Sequence, residues 1–265
     1  MTKVTTIMFK NNHKSYYFKA FEGLKVGDYV VVETVKGKEV GKVVVPLKEV
    51  DDSKIIGELK PVVRVANEED LKAIKENEEL APSIIETVKE KVSIAGLEMK
   101  VLDVEYTLDR SKLIIYFTAE DRIDFRELVR ILASIYKTRI ELRQIGPRDA
   151  SKIIGGIGIC GKELCCKKFL GDIQNVTIKM AKNQNLSLNP NAISGLCGKL
   201  LCCISYEDDF YQRIRDLIPE IGDSITTEKG EAIVTQISIL DETITVKYPD
   251  NSLDVIEIAE LVEKN

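Results

Sequence analysis

The sequence has little of what catalytic centres are usually built from. Among 265 residues there is one histidine, His13, set in a β-rich stretch far from any other candidate ligand, where it reads as a surface residue. No P-loop, no G-x-S-x-G elbow and no paired-acid site stands out from ordinary charged faces, so the chain is read as non-enzymatic. No stretch approaches the roughly 20 apolar residues of a membrane span, and the opening MTKVTTIMFKNNHKSYYF lacks the apolar core of a signal peptide. A cytoplasmic location without membrane insertion is expected. Cysteine is scarce but not scattered. All six lie in two heptapeptides, CGKELCC (Cys160–Cys166) and CGKLLCC (Cys197–Cys203), thirty-seven residues apart. A chain of this length buries a core without covalent help, and cytoplasmic thiols stay reduced. The repeated clusters therefore point to metal or redox chemistry rather than to disulfides.

Charge is uneven. The net charge is −5, yet from Lys137 to Cys203 eleven Lys and Arg face four acids, a balance of +7 that leaves −12 for the rest. Arg139, Arg143, Arg148, Lys152, Lys167 and Lys168 are the candidate contacts for phosphates, of RNA above all. Phe169 is the only aromatic in that segment, so the stacking platform of single-strand binders is missing. The cations have two other uses: balancing thiolates and a cluster, which suits Lys162 and Lys199 at equivalent places in the two copies, or meeting an acidic protein partner.

The chain reads as α+β, in four stretches. Residues 1–60 form a small β-barrel-like unit, in which GLKVGDYVVVETVKGKEVGKVVVPL is a hairpin turning at Lys-Gly-Lys. Residues 61–145 hold a helix capped by Asn67, continuous or broken near Pro82 and ended by Gly96, and then a β-β-α-β module whose helix opens at an Asp124/Glu127 capping box. Residues 146–210 are the cationic, irregular Cys-rich segment, with a helix expected over 172–185. Residues 211–265 are a β-rich C-terminal unit with a hairpin turn at Pro249-Asp250-Asn251, and the two β-rich ends could pair with each other.

The spacing C-x4-C-C restricts the metal. Adjacent cysteines point to opposite sides of a strand, or about 100° apart on a helix, so they seldom serve one small ion equally. Zinc sites usually set cysteines two to four residues apart, which leaves zinc as the alternative. An iron–sulfur cluster accepts ligands on separate irons. Six thiolates then make one four-cysteine site with two left over, or two three-cysteine sites each lacking a ligand that a partner could supply. Two further readings are small buried thiols and a redox dithiol, although the latter lacks C-x-x-C. Gly156-Ile-Gly-Ile-Cys-Gly161 spells G-x-G-x-x-G, but its glycines suit close backbone approach to a cluster better than a nucleotide.

RQIGPRDASKIIGGIGICGKELCC, followed by MAKNQNLSLNPNAISGLCGKLLCCISYEDDF, resembles the bacterial YaaT family, also called RicT, over most of the chain and most specifically between Arg143 and Tyr206. Lys162, Lys199 and Ile159 depart from the Arg and Pro usual there, leaving the thiols untouched. The resemblance implies the larger subunit of a regulatory iron–sulfur complex, bearing a PSP C-terminal domain. It implies [4Fe–4S] clusters with Cys160, Cys165, Cys166, Cys197, Cys202 and Cys203 as the candidate ligands, and flavin (FAD) in the complex. The implied partners are two small helical proteins of the YlbF and YmcA types. Through them the complex would act on the endoribonuclease RNase Y in maturing polycistronic messages, promoting sporulation, competence and biofilm formation. The domain's occurrence in eukaryotic RNA-binding proteins keeps RNA among the expected partners.

Overall fold

In the computed structural model, which describes residues 1–9, 15–55, 57–171, 173–227 and 229–259, the valine-rich N-terminal stretch forms five strands: β1 (Thr2–Met8), β2 (Ser15–Lys19), β3 (Tyr29–Glu33), β4 (Lys38–Val50) and β5 (Val62–Val65). His13 lies outside the described residues. The strands make one antiparallel sheet in the order β2-β1-β4-β3-β5. The hairpin read from the sequence is present, with Val31 opposite Val40 and Glu33 opposite Lys38 across the turn. Val30, Val32 and Val43 point inward with Ile7, Phe18, Leu24 and Val62. Gly41 is required by close approach: a Cβ there would overlap Ile7 Cγ2 and lie 3.2 Å from Phe9 Cε1.

Helix α1 (Glu68–Ile94) starts as its first residues dictate. Asn67 Oδ1 accepts from the Asp70 N–H at 2.9 Å and Asp70 Oδ2 from the Asn67 N–H at 2.8 Å, a reciprocal capping box. It ends in a Schellman pattern at Gly96, where the Leu97 N–H reaches the Val92 carbonyl at 3.2 Å and the Gly96 N–H the Ser93 carbonyl at 3.1 Å. Pro82 does not break it. The helix runs through, held by Ile84, Val88 and Val92, which are buried on the sheet after the proline.

Strands β6 (Lys100–Tyr106), β7 (Lys112–Thr118) and β8 (Arg139–Gln144), with helix α2 (Arg126–Tyr136) before β8, complete the β-β-α-β module. β6 and β7 are antiparallel; β7 and β8 are parallel, which the α2 crossover allows. The core joins Val101, Val104, Leu113, Ile115 and Ile140 to Leu128 and Leu132 of α2. The expected Asp124/Glu127 capping box is not made. α2 begins at Arg126 without a side-chain cap bond at Phe125; Asp124 instead accepts from the Arg126 guanidinium and, at 3.2 Å, from the Arg126 N–H, which together hold its carboxyl down to about 2.

The opposite sheet face carries Glu105 and Tyr116 beside the buried Ile114 and receives the β3–β4 turn. Lys36 Nζ lies 3.1 Å from Glu105 Oε2, 3.5 Å from Glu39 Oε1 and 5.6 Å from the Tyr116 ring centre. Burial alone would pull Lys36 down, but the charges of Glu105, Tyr116 and Glu39 outweigh it and raise it. Burial and Glu105 push Tyr116 up to about 12.

After β8 come the short helices α3 (Pro147–Ile154), α4 (Cys165–Lys168), α5 (Ile178–Asn183) and α6 (Pro190–Ile193), and then α7 (Cys202–Arg215). The helix expected over 172–185 is confined to α5. The last strands, β9 (Ser224–Thr227), β10 (Gly230–Ser238), β11 (Thr243–Lys247) and β12 (Leu253–Glu257), form an antiparallel sheet in the order β12-β11-β10-β9. Pro249-Asp250-Asn251 makes its expected turn, closed by the Tyr248 N–H to the Ser252 carbonyl at 3.0 Å. The two chain ends thus build separate sheets, each with its own apolar core, rather than pairing with each other.

The chain divides into two units, one of Met1–Ile173 with Leu196–Lys199, the other of Gln174–Gly195 with Leu200–Asn265. Both mix helix and strand, and the class is α+β. The division falls inside the cationic segment 146–210.

Candidate metal centre

The two cysteine heptapeptides repeat a backbone geometry as well as a phrase. In the first, Ile157 and Glu163 form an isolated antiparallel bridge, and the Leu164 N–H donates to the Gly156 carbonyl at 3.1 Å. In the second, Ser194 and Leu200 form the bridge, and the Leu201 N–H donates to the Ile193 carbonyl at 2.9 Å. Each turn follows its first cysteine with a left-handed glycine, Gly161 at φ +75° and Gly198 at φ +72°. A side chain with a Cβ is disfavoured there. Each then passes through an extended leucine, Leu164 or Leu201, into a helix whose first two residues are the adjacent cysteines. The stretch that looked irregular is a duplicated turn and helix start, invisible to periodicity because each bridge is a single residue pair.

The glycines of G-x-G-x-x-G serve this turn. α3, not a strand, precedes them, and the next helix opens at Cys165, so the strand–loop–helix context of a dinucleotide site is absent.

None of the six cysteines is in a disulfide. Cys160 is exposed at the first turn, Cys165 is half-buried and Cys166 buried, whereas Cys197, Cys202 and Cys203 are half-buried. The Leu196–Lys199 tip belongs to the first unit, which therefore holds Cys160, Cys165, Cys166 and Cys197. Within that unit a Cβ on Gly156 would stand 3.3 Å from Leu196 Cδ1, so the second tip lies directly beside the first turn. Burial pushes the Cys166 thiol up, and Cys197, then Cys165, push it the same way. Cys166 and Cys197 are thus electrostatic neighbours although they come from different copies. Cys202 and Cys203 belong to the second unit, opening α7 where a helix start favours negative charge.

The donor set is soft and uniform: thiols, with no histidine among them, which suits iron–sulfur clusters and structural zinc. Within neither unit do the described residues bring three Cys, His, Asp or Glu side chains close enough to hold one metal ion. A closed tetrahedral zinc site is therefore not preformed within either unit. Four thiols in one unit do match the ligand count of a four-cysteine cluster, whose irons sit apart and accept more widely placed sulfurs.

The cations chosen for anion contacts divide. Arg143 bonds Glu141 at 2.9 Å, Lys152 the Gly171 carbonyl at 3.3 Å and Lys167 the Ile153 carbonyl at 3.2 Å. Arg148 is half-buried in α3. Arg139 and Lys168 are exposed, as are Lys162 and Lys199 on the two tips. Sequence reasoning missed two features. Burial pushes the Asp103 carboxyl of β6 up, and the charge of Lys167, just after Cys166, is among the smaller influences opposing it. Exposed aliphatic side chains surround the first turn. The run Ile153-Ile-Gly-Gly-Ile-Gly-Ile was their signal, being apolar without the periodicity of a buried strand or helix.

A family model described as the PSP1 C-terminal conserved region matches residues 60–145, from just before β5 through β8. Another, described as PSP1-like protein, third domain, matches residues 175–218, which include Cys197, Cys202 and Cys203. Stage 0 sporulation protein YaaT of Bacillus subtilis is 51% identical over 249 residues, 93% of this chain and 90% of its own length. An uncharacterized protein of Schizosaccharomyces pombe is 32% identical over 145 residues, 44% of this chain and 19% of its own. Protein PSP1 of Saccharomyces cerevisiae is 48% identical over 46 residues, 17% of this chain and 6% of its own. No solved structure matches the chain.

Proposed function

The chain belongs to the family of the stage 0 sporulation protein YaaT, and from that premise we propose that it is a non-catalytic regulatory subunit of a cytoplasmic iron–sulfur protein complex. The observation that carries this reading is the doubled cysteine turn, with Leu196 of the second tip beside Gly156 of the first. Cys160, Cys165, Cys166 and Cys197 would hold a [4Fe–4S] cluster, which supplies an oxidation-sensitive link between the two copies. Lys162 and Lys199, exposed on the tips, offset the negative charge of the thiolates. The absence of any G-x-S-x-G or P-loop motif supports a role without chemistry of its own. No helix is long and apolar enough to cross a membrane among the described residues.

Partners of the YlbF and YmcA types would complete the complex, and its output would be RNase Y-dependent message maturation and, through it, sporulation, competence and biofilm formation. The sporulation name of the Bacillus relative supports the last step. Anaerobic purification should give a brown protein with iron and acid-labile sulfide, bleached by Cys→Ser in either copy. A colourless protein rich in zinc would overturn this in favour of a structural zinc role.

Direct RNA binding is the weaker reading, since Arg143, Lys152 and Lys167 are engaged within their own unit. It requires an affinity that falls steeply with salt.

A further inference from the structure

The first unit exposes large apolar side chains where its thiols are. Ile154 ends α3, Ile157 and Ile159 lie on the first cysteine turn, Phe169 follows α4, and Leu196 sits beside Gly156 on the second tip; each is between 46% and 63% exposed. Single exposed aliphatics are ordinary, but five around one short turn make a patch of the kind that marks an interaction site. The turn cannot turn them inward. Its bridge from Ile157 to Glu163 and the left-handed Gly161 hold it as a small rigid hairpin with no second layer of its own.

The rim is mainly cationic: Lys162, Lys168 and Lys199 are exposed on the first turn, on α4 and on the second tip, and Glu163 is the one acid described on the turn. We propose that this face docks a protein partner through an apolar strip flanked by acidic side chains, seated on Ile154, Ile157, Ile159, Phe169 and Leu196 with its carboxylates on the three lysines. The inference rests on the iron–sulfur reading in that the same surface borders Cys160, so the docked partner would also shield the cluster thiols from water.

Other occupants suit the face less well. A nucleic acid would use the lysines but find one aromatic, Phe169, for its bases. An anionic bilayer calls for an apolar apex, and the apex here is Cys160-Gly161-Lys162 with Glu163 beside it.

The test is photo-crosslinking in the native cell, with benzoylphenylalanine at Ile157 of the full chain and, as control, at the exposed Leu253 of β12. The expected product is a peptide of another protein in which apolar positions are flanked by Asp or Glu. Its yield from the Ile157 probe should drop about tenfold in Ile159→Ser, and likewise in Lys168→Glu, a variant that keeps the fold because that lysine is solvent-exposed. Adducts to lipid, to RNA or to the chain's own peptides overturn the proposal, as does no adduct above the Leu253 control, or a yield indifferent to both variants. Iron and sulfide content of the same preparations is read separately. Normal cluster content without crosslinking sinks the docking surface alone, and crosslinking without iron sinks the cluster alone.

Discussion

At the scale of single residues, the doubled turn depends on two glycines. Gly161 and Gly198 sit at φ +75° and φ +72°, each just after the first cysteine of its copy. No atom lies within 4 Å of where a Cβ would be, so a larger residue meets no steric wall and the cost of replacement is conformational alone. Ala at either position should cost about 1 kcal/mol, seen as a lower urea midpoint, whereas Asn, which tolerates the left-handed region, should cost less. Iron content should follow the same order, Gly above Asn above Ala, if the turn positions Cys160 and Cys197. Equal iron in all three would detach the turn from the site.

At the scale of elements, α1 shows what the sequence makes legible. Its Asn67 cap and Gly96 stop are written in local chemistry, and both form. Arg64 bonds the Asp70 carboxylate and, with the Asn67 N–H, keeps that group below its ordinary range near 3.8. A depressed carboxylate contributes stability above its unfolded pKa and loses it as pH falls through the folded value. Asp70→Asn should therefore cost about 1 kcal/mol at neutral pH. The gap from the parent should close below pH 4, as a thermal melt series would record. Pro82 was ambiguous for a physical reason: a proline removes one N–H and crowds one carbonyl, but buried residues beyond it decide whether the helix resumes, and those contacts are tertiary. Pro82→Ala should raise stability by roughly 1–3 kcal/mol, since alanine restores the missing bond; an unchanged melting temperature would mean the helix is already kinked to relieve it. The β-β-α-β module, the hairpin at Lys36-Gly37-Lys38 and the C-terminal turn were likewise legible, because alternation and turn residues agree there. The cysteine turns were not. Their bridges are too short for periodicity, and Asp124 is shared between the Arg126 N–H and a guanidinium that no spacing rule weighs.

At the scale of the whole molecule, the path of the chain matters more than any element. It leaves the first unit after Ile173, returns for Leu196–Lys199 and leaves again, so that one cysteine of the second copy falls in the same unit as the three of the first. The sequence repeat alone suggests two equal half-sites, whereas this path puts Cys197 in the same unit as the first copy. The two arrangements differ in how iron responds to one lost thiol. In two independent sites, Cys166→Ser or Cys197→Ser would each remove about half the iron and the double variant all of it. In one shared four-cysteine site, either single change should remove nearly all of it, and the double variant should add little, because two ligands of one cluster act as a unit rather than additively. Iron and acid-labile sulfide measured on the three variants, each normalised to folded protein by circular dichroism, separate the cases: near-complete loss in both single variants fits the shared site, and halving in each would return the molecule to two separate centres.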